Sequence, residues 1–244
     1  MSAPWRIGKW ESLFPKSGYN GRVKIPILHV DEALLVVSKP GGLLSLPDGH
    51  DPALPHLRSL LEPAWGRLWI VHRLDKDTSG VLALARSAAA HRALSLQFQE
   101  RQTEKVYHAL VWGLPPWDET VLEMPLRPNT GRRKRTAADP ARGLPAHTEV
   151  RVLRRMEACA LLEARPRTGR RHQIRAHLYA AGFPLVGDPL YGQGNPPQIP
   201  APLPRLGLHA FSLGLRHPLT GRFVSFQAAY PPDFRELLQN PPKT

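Results

Sequence analysis

Val71–Ser87 reads VHRLDKDTSGVLALARS. A polar cluster from His72 to Ser79 passes through Gly80 into Val81-Leu82-Ala83-Leu84-Ala85, and a short apolar run bounded in this way predicts a mostly buried strand. Asp75 then stands at the lip of a sheet, with Arg73 two residues before it and Lys76 one after. Neighbouring cations keep such a carboxylate ionised, which is how a nucleophile or a base is built. Taken alone, the stretch also fits a solvated turn ahead of a core strand.

The 244 residues suffice for one domain with a substantial core or for two small ones, and a single domain mixing helix and sheet is the simpler expectation. No run approaches the length of a transmembrane helix. The N-terminus, MSAPWRIGKWESLF, has no apolar core of the secretory kind, so a cytoplasmic location is expected. The single cysteine, Cys159, excludes an intrachain disulfide and a cysteine-based zinc site. Net charge is +13, and 25 of the 33 basic residues are arginine. Two readings stand: a polyanionic partner, whose phosphates and bases suit arginine's fork and flat face, or a genome biased toward arginine codons.

Working outward, residues 1 to 24 scatter Trp5, Trp10, Phe14 and Tyr19 without period and read as an irregular arm. Ile27–Val30 and Leu34–Val37 predict two short strands ending at Lys39-Pro40-Gly41-Gly42. Ala53–Leu61 predicts a short helix. Ser87 stands where an N-cap belongs, and Ala90, Leu94 and Phe98 form one apolar stripe of an amphipathic helix reaching toward Thr103. Lys105–Gly113 alternates as a strand, with Lys105, Tyr107, Ala109 and Val111 on one face. From Leu114 to Leu144 periodicity fails, and the four consecutive cations Arg132, Arg133, Lys134 and Arg135 predict a mobile loop. That loop is either simply solvated or a grip on phosphates.

Ala146–Leu153 and Ala158–Ala164 predict two strands paired antiparallel. In Thr168–Gly182, Thr168 is placed to cap a helix, Ile174, Leu178 and Ala181 share a face, and Gly182 fits the left-handed position after its end. Arg171 and Arg175, four apart, are expected to leave the same side. Arginines in a first turn oppose the helix dipole at about 0.3–1 kcal/mol each, a cost that a bound anion reverses. Asn195–Pro204, with five prolines, reads as a stiff surface loop. Gly207–Leu213 and Arg222–Gln227 predict closing strands, and a short helix is expected after Pro232. His172 and His177 are five apart, off a common helix face, and no HExxH pair or G-x-S-x-G elbow is present, so neither a metal site nor a serine hydrolase is expected.

HRLD followed by TSG closely resembles the active-site signature of the RluA-type RNA pseudouridine synthases. HVDEALLVVSKPGGLLSLP, KVYHALVWG, and TGRRHQIRAHL with PLVGDPLYG resemble further motifs of that family, in the family's order, over about residues 27 to 232. The resemblance implies an α+β catalytic domain at residues 25–235, built on a large mixed, mainly antiparallel sheet flanked by helices and loops, with a tail at 236–244. It implies that Asp75 attacks the target uridine, and that Arg175 forms a salt bridge to Asp75. It implies further that Tyr107 stacks on the flipped base and takes the C5 proton, while Arg73 enters the space the base has left. Neither a cofactor nor a metal is implied. Arg132, Arg133, Lys134, Arg135 and Arg171 are the remaining candidates for RNA binding. Many relatives carry an N-terminal S4-type RNA-binding domain, for which the residues before the first strand are too few.

The expected partner is therefore structured RNA, stem-loops of rRNA, tRNA or both, handled by a monomer without a membrane or an obligate protein partner. A catalytically idle RNA-binding or RNA-folding helper on the same scaffold is the alternative, and retention of Asp75 beside Arg73, TSG and Arg175 argues for the enzyme.

Overall fold

Alternating apolar residues build one ten-stranded sheet and a separate two-stranded ribbon. The computed structural model describes residues 24–49, 51–132, 134–191 and 205–240. Strands β1 (Ile27–Val30) and β2 (Leu34–Lys39) lead to helix α1 (Leu57–Trp65), the short β3 (Trp69–Ile70) and β4 (Ser79–Ala85). Helix α2 (Ala88–Gln99) precedes β5 (Glu104–Trp112), β6 (Glu119–Leu122), β7 (Leu126–Thr130) and β8 (Arg135–Ala138). Then come β9 (Thr148–Arg155), β10 (Cys159–Pro166), α3 (Gln173–Ala180), β11 (Leu208–Arg216), β12 (Phe223–Gln227) and α4 (Pro232–Gln239).

The sheet runs β1-β2-β4-β11-β5-β10-β9-β6, with β12 also on β11 and β3 also on β4. Its pairs are antiparallel except β4 with β11. This is the mixed, mainly antiparallel sheet that the family resemblance implies. Period-two alternation decides which helix covers which face. On β4, Leu82 and Leu84 pack with Leu57 and Leu61 of α1, whereas Val81, Ala83 and Ala85 pack with Ala90 and Leu94 of α2. On β5, Ala109 and Val111 meet Ile174 and Leu178 of α3, and Leu110 and Trp112 meet Leu237 of α4. Tyr107 touches both the α1 cluster and the α3 cluster, so it sits at the seam between two halves of the core.

Several elements depart from the sequence reading. Helix α1 begins at Leu57 rather than Ala53, because the His56 imidazole accepts the Ser59 N–H and caps it there. The span Leu114–Leu144 holds three strands: β6 joins the sheet edge beside β9, and β7 and β8 form a hairpin. Its order comes from distant partners that local alternation does not register. The Tyr191 hydroxyl accepts the Thr136 N–H at 2.9 Å and donates to the Thr136 carbonyl at 2.8 Å, and the Arg135 guanidinium lies over the Tyr179 and Tyr191 rings. Helix α3 starts at Gln173, and Thr168 does not cap it. The Thr168 hydroxyl donates to the Gln173 side chain at 2.7 Å, and His172, at φ 51°, turns the chain into the helix without a side-chain cap. The expected N-terminal arm up to residue 23, Arg133 and the proline-rich loop 195–204 lie outside the described residues. Among the described residues no helix is long and apolar enough to cross a membrane.

Gly80 enables the parallel pairing of β4 with β11. It adopts φ 119°, and a Cβ there would stand 2.1 Å from the Ala210 carbonyl oxygen. Gly80→Ala is expected to cost about 3 kcal/mol or more, lowering the midpoint of thermal unfolding by roughly 6–12 °C. Gly42→Ala, also at positive φ but facing open space, should cost only about 1 kcal/mol. Equal melting of the two variants would refute the close-packing account.

Candidate active site

The loop between β3 and β4 carries Asp75, and buried polar groups fix that loop. Lys39, fully buried, donates from Nζ to the carbonyls of Pro40 (2.8 Å), Leu43 (2.8 Å) and Lys76 (2.9 Å). Three acceptors match the three protons of an ammonium. Burial lowers Lys39 to about 7, against the pull of Asp77 and Asp75. Ser45 Oγ donates to the Leu74 carbonyl at 2.8 Å and accepts the Leu74 N–H at 3.2 Å. Further along, Ser79 Oγ accepts from Arg205 Nη2 at 2.8 Å and contacts His209 Nδ1 at the same distance. The backbone on both sides of Asp75 is thus held before any substrate arrives.

Arg175, the third residue of α3, meets Asp75 from across the seam. Its Nε and Nη2 donate to the two oxygens of Asp188 at 2.8 Å each, and its Nη1 donates to Asp75 Oδ2 at 3.2 Å. Burial works against the guanidinium, yet the hydrogen bonds and charge of Asp188, with those of Asp75, raise its pKa above the ordinary arginine value. The Tyr191 ring lies beneath it, with the guanidinium carbon 5.2 Å from the ring centroid. The anion that the sequence calls for near this helix start is therefore supplied by the protein itself. Asp188 also accepts the Leu190 and Tyr191 N–H groups, so the turn after α3 is built around it.

Asp75, Tyr107 and Arg175 line one cavity of about 580 Å³. Burial raises the Tyr107 phenol, and the Asp75 charge adds to that rise. A raised phenol favours the neutral ring, which offers the cavity a stacking surface and an O–H donor. His172 Nε2 stands 3.9 Å from Asp75 Oδ1. Burial lowers this imidazole, with Arg175 and Arg171 acting in the same direction against Asp75. His72 turns inward: its Nε2 accepts the Ala83 N–H at 3.0 Å, its ring stacks on Phe98, and burial lowers it to about 3. It contributes a neutral wall.

The arginines expected to bind RNA divide into groups. Arg73 and Arg171 line the cavity and are exposed, but Arg171 precedes α3 and does not share a helix face with Arg175; it donates to the Asn129 side chain on β7. Arg132 and Lys134 are exposed at the hairpin tip, whereas Arg135 is half-buried on the two tyrosine rings. Arg133 is outside the described residues. Sequence reading passes over Asp188 and Lys39 as site residues, although both stand in family-like motifs, GDPLYG and SKPGG. Their roles depend on partners far away in the chain. It also misses the convergence of His29, Asp31 and His217, whose potential metal-binding atoms lie within 4.8 Å of one another. Both imidazoles approach Asp31 Oδ2, at 2.6 and 2.8 Å. Those are hydrogen-bond distances, shorter than the roughly 3.3 Å between ligands sharing a tetrahedral ion, and the group lies outside the cavity.

Comparison with known proteins agrees with this geometry. The sequence model of the RNA pseudouridylate synthase family matches residues 33–180. The dual-specificity RNA pseudouridine synthase RluA of Pasteurella multocida is 40% identical over 211 residues, a match spanning 86% of this chain and 94% of that protein. The ribosomal large subunit pseudouridine synthase D of Nitrosomonas europaea is 38% identical over 226 residues, 89% of this chain and 65% of that protein. Among solved structures, human RNA pseudouridylate synthase domain containing 4 superposes with a TM-score of 0.73 at 27% identity, covering 88% of this chain and 92% of that one. A family match over more than half of the sequence, and a relative matched along nearly its whole length, leave one assignment: the chain belongs to the RNA pseudouridylate synthase family.

Proposed function

We propose that this protein isomerises uridine to pseudouridine in structured RNA, with Asp75 as nucleophile. The observation that carries the reading is the Asp75 carboxylate, held by Arg175 at 3.2 Å in the cavity that Tyr107 also lines. A uridine inside a stem has to be flipped out at a cost of a few kcal/mol, and stacking on Tyr107 offsets about 1–3 kcal/mol of it. Asp75 attacks the flipped nucleoside, and uracil is freed from the ribose and turns. The carboxylate leaves again as C5 bonds to the ribose carbon. One proton is lost from C5 and one is gained at N1, so the reaction balances without a cofactor. Asp75, regenerated as an anion beside the product, and Tyr107 in the same cavity are the two candidate acceptors for the C5 proton. Arg73, exposed at the cavity mouth and without a side-chain partner among the described residues, is suited to fill the gap in the stem. The named relatives point to rRNA, and to a dual-specificity enzyme, as the substrate range to test first.

Asp75→Asn is expected to abolish tritium release from C5-labelled uridine in rRNA and tRNA transcripts, by at least ~10³-fold, while RNA binding stays within a few-fold. An equal loss of binding would make Asp75 structural. Asp188→Ala should leave the Arg175 charge underpaired in the interior and cost about 3–5 kcal/mol, read as a lowered thermal midpoint together with loss of activity. Arg132→Ala combined with Arg133→Ala should flatten the dependence of log affinity on log salt by roughly 0.7 for each phosphate that the tip ceases to hold. An unchanged slope would mean that the hairpin tip does not touch RNA.

A further inference from the structure

The cavity extends past Asp75 and Tyr107 to a second end lined by Phe98, Arg101, Lys105 and Arg167. At about 580 Å³ it falls within the roughly 300–1,000 Å³ that holds drug-sized ligands, so it has room for more than a base. Its buried and half-buried cations are paired unevenly. At the first end, Arg175 is matched by Asp75 and Asp188. At the second, Arg167 is engaged by Glu149, both of whose oxygens it meets at 2.8 Å. Lys105 and Arg101 have no carboxylate partner among the described residues.

Lys105 is two residues from Tyr107 on β5 and so shares its face, about 7 Å away along the strand. Its Nζ donates to the Thr168 carbonyl at 3.2 Å, which leaves two of the three ammonium protons unengaged. The charged or titratable groups facing it are Arg101 from beyond the end of α2, Arg167 from the end of β10, and the neutral His72. Burial, followed by the like charges of Arg101 and Arg167, lowers Lys105 to about 8. Arg101 itself is held at φ 59°, where the chain turns out of α2. Half-burying an ammonium among arginines is unfavourable in the empty protein, and an anion placed there makes it favourable.

We infer that Lys105 and Arg101 form a phosphate subsite that seats an RNA backbone phosphate flanking the target uridine while its base lies on Tyr107. This rests on the reading of the cavity as a pseudouridine synthase site and names what the other half of that cavity binds. With backbones about 7 Å apart on one strand face, the cation and the ring open on the same stretch of the cavity. A flipped nucleotide thereby gains an anchor that a free uridine lacks, and the subsite selects a uridine held within a chain.

The test uses the full-length protein, rRNA and tRNA transcripts for kinetics, and an RNA hairpin with uridines in its loop for binding. Lys105→Met should raise KM and the hairpin Kd about tenfold, reduce the salt slope by roughly 0.7, and leave kcat within about threefold, with thermal unfolding as the control for folding. Wild-type affinity should fall between pH 7 and pH 9 as Lys105 loses its proton. Lys105→Arg, which keeps its charge throughout, should retain affinity and lose that pH dependence. A fall in kcat with unchanged Kd and salt slope would overturn the subsite and make Lys105 a positioning residue for Tyr107. No change in any quantity would overturn it as well. If the wild type forms no pseudouridine, the functional reading fails, while the salt slope and pH dependence on the hairpin still decide whether Lys105 binds phosphate.

Discussion

One guanidinium, that of Arg175, ties the molecule's two halves together, and the site exists because of it. Taking a cation and two carboxylates out of water costs several kcal/mol per ion. That cost is offset here only because geometry uses the arginine fully: Asp188 takes two of its nitrogens in parallel and Asp75 takes a third. A lysine has three donors but lacks the flat fork that meets one carboxylate through two parallel bonds while reaching a second. The arrangement is also unequal by design. Asp188 is sealed in, whereas the Asp75 side chain keeps 20% of its surface open, so the shared cation holds one acid in the interior and the other at the cavity wall.

The rest of the neighbourhood removes freedom from Asp75. Lys39 grips the carbonyl that follows it, Ser45 grips the residue before it, and Gly80 lets β4 approach β11 closely enough to fix where the loop ends. Each contact joins segments far apart in sequence. The loop is thus preorganised in the sense that matters for catalysis: its ordering entropy is met during folding and does not weaken substrate binding.

How much of this is legible in the sequence follows from the range of the forces involved. Strands such as Leu34–Lys39 and Glu104–Trp112 show because their apolar residues are buried on both faces over much of their length. The Ser87 cap shows because capping is local: its hydroxyl accepts the Ala90 N–H. Asp75, Arg175 and Tyr107 stand out through their motifs, and the structure brings them to one cavity. The hairpin from Leu126 to Ala138 is hidden, since its order depends on Tyr191, some fifty residues later. Thr168 has the look of a cap and is instead a brace for Gln173, while His172, in a left-handed conformation that no residue pattern announces, starts the helix.

The position of β11 has a bearing on how the chain is made. It lies between β4 and β5, although it follows both by about a hundred residues. On a ribosome, β4 and β5 emerge early and wait for the strand that will separate them, each with an unsatisfied row of backbone amides and carbonyls. Such edges invite pairing with other chains, and distant strand pairing is slow. The nascent protein therefore passes through an interval of vulnerability to aggregation that closes only when its last hairpin leaves the exit tunnel.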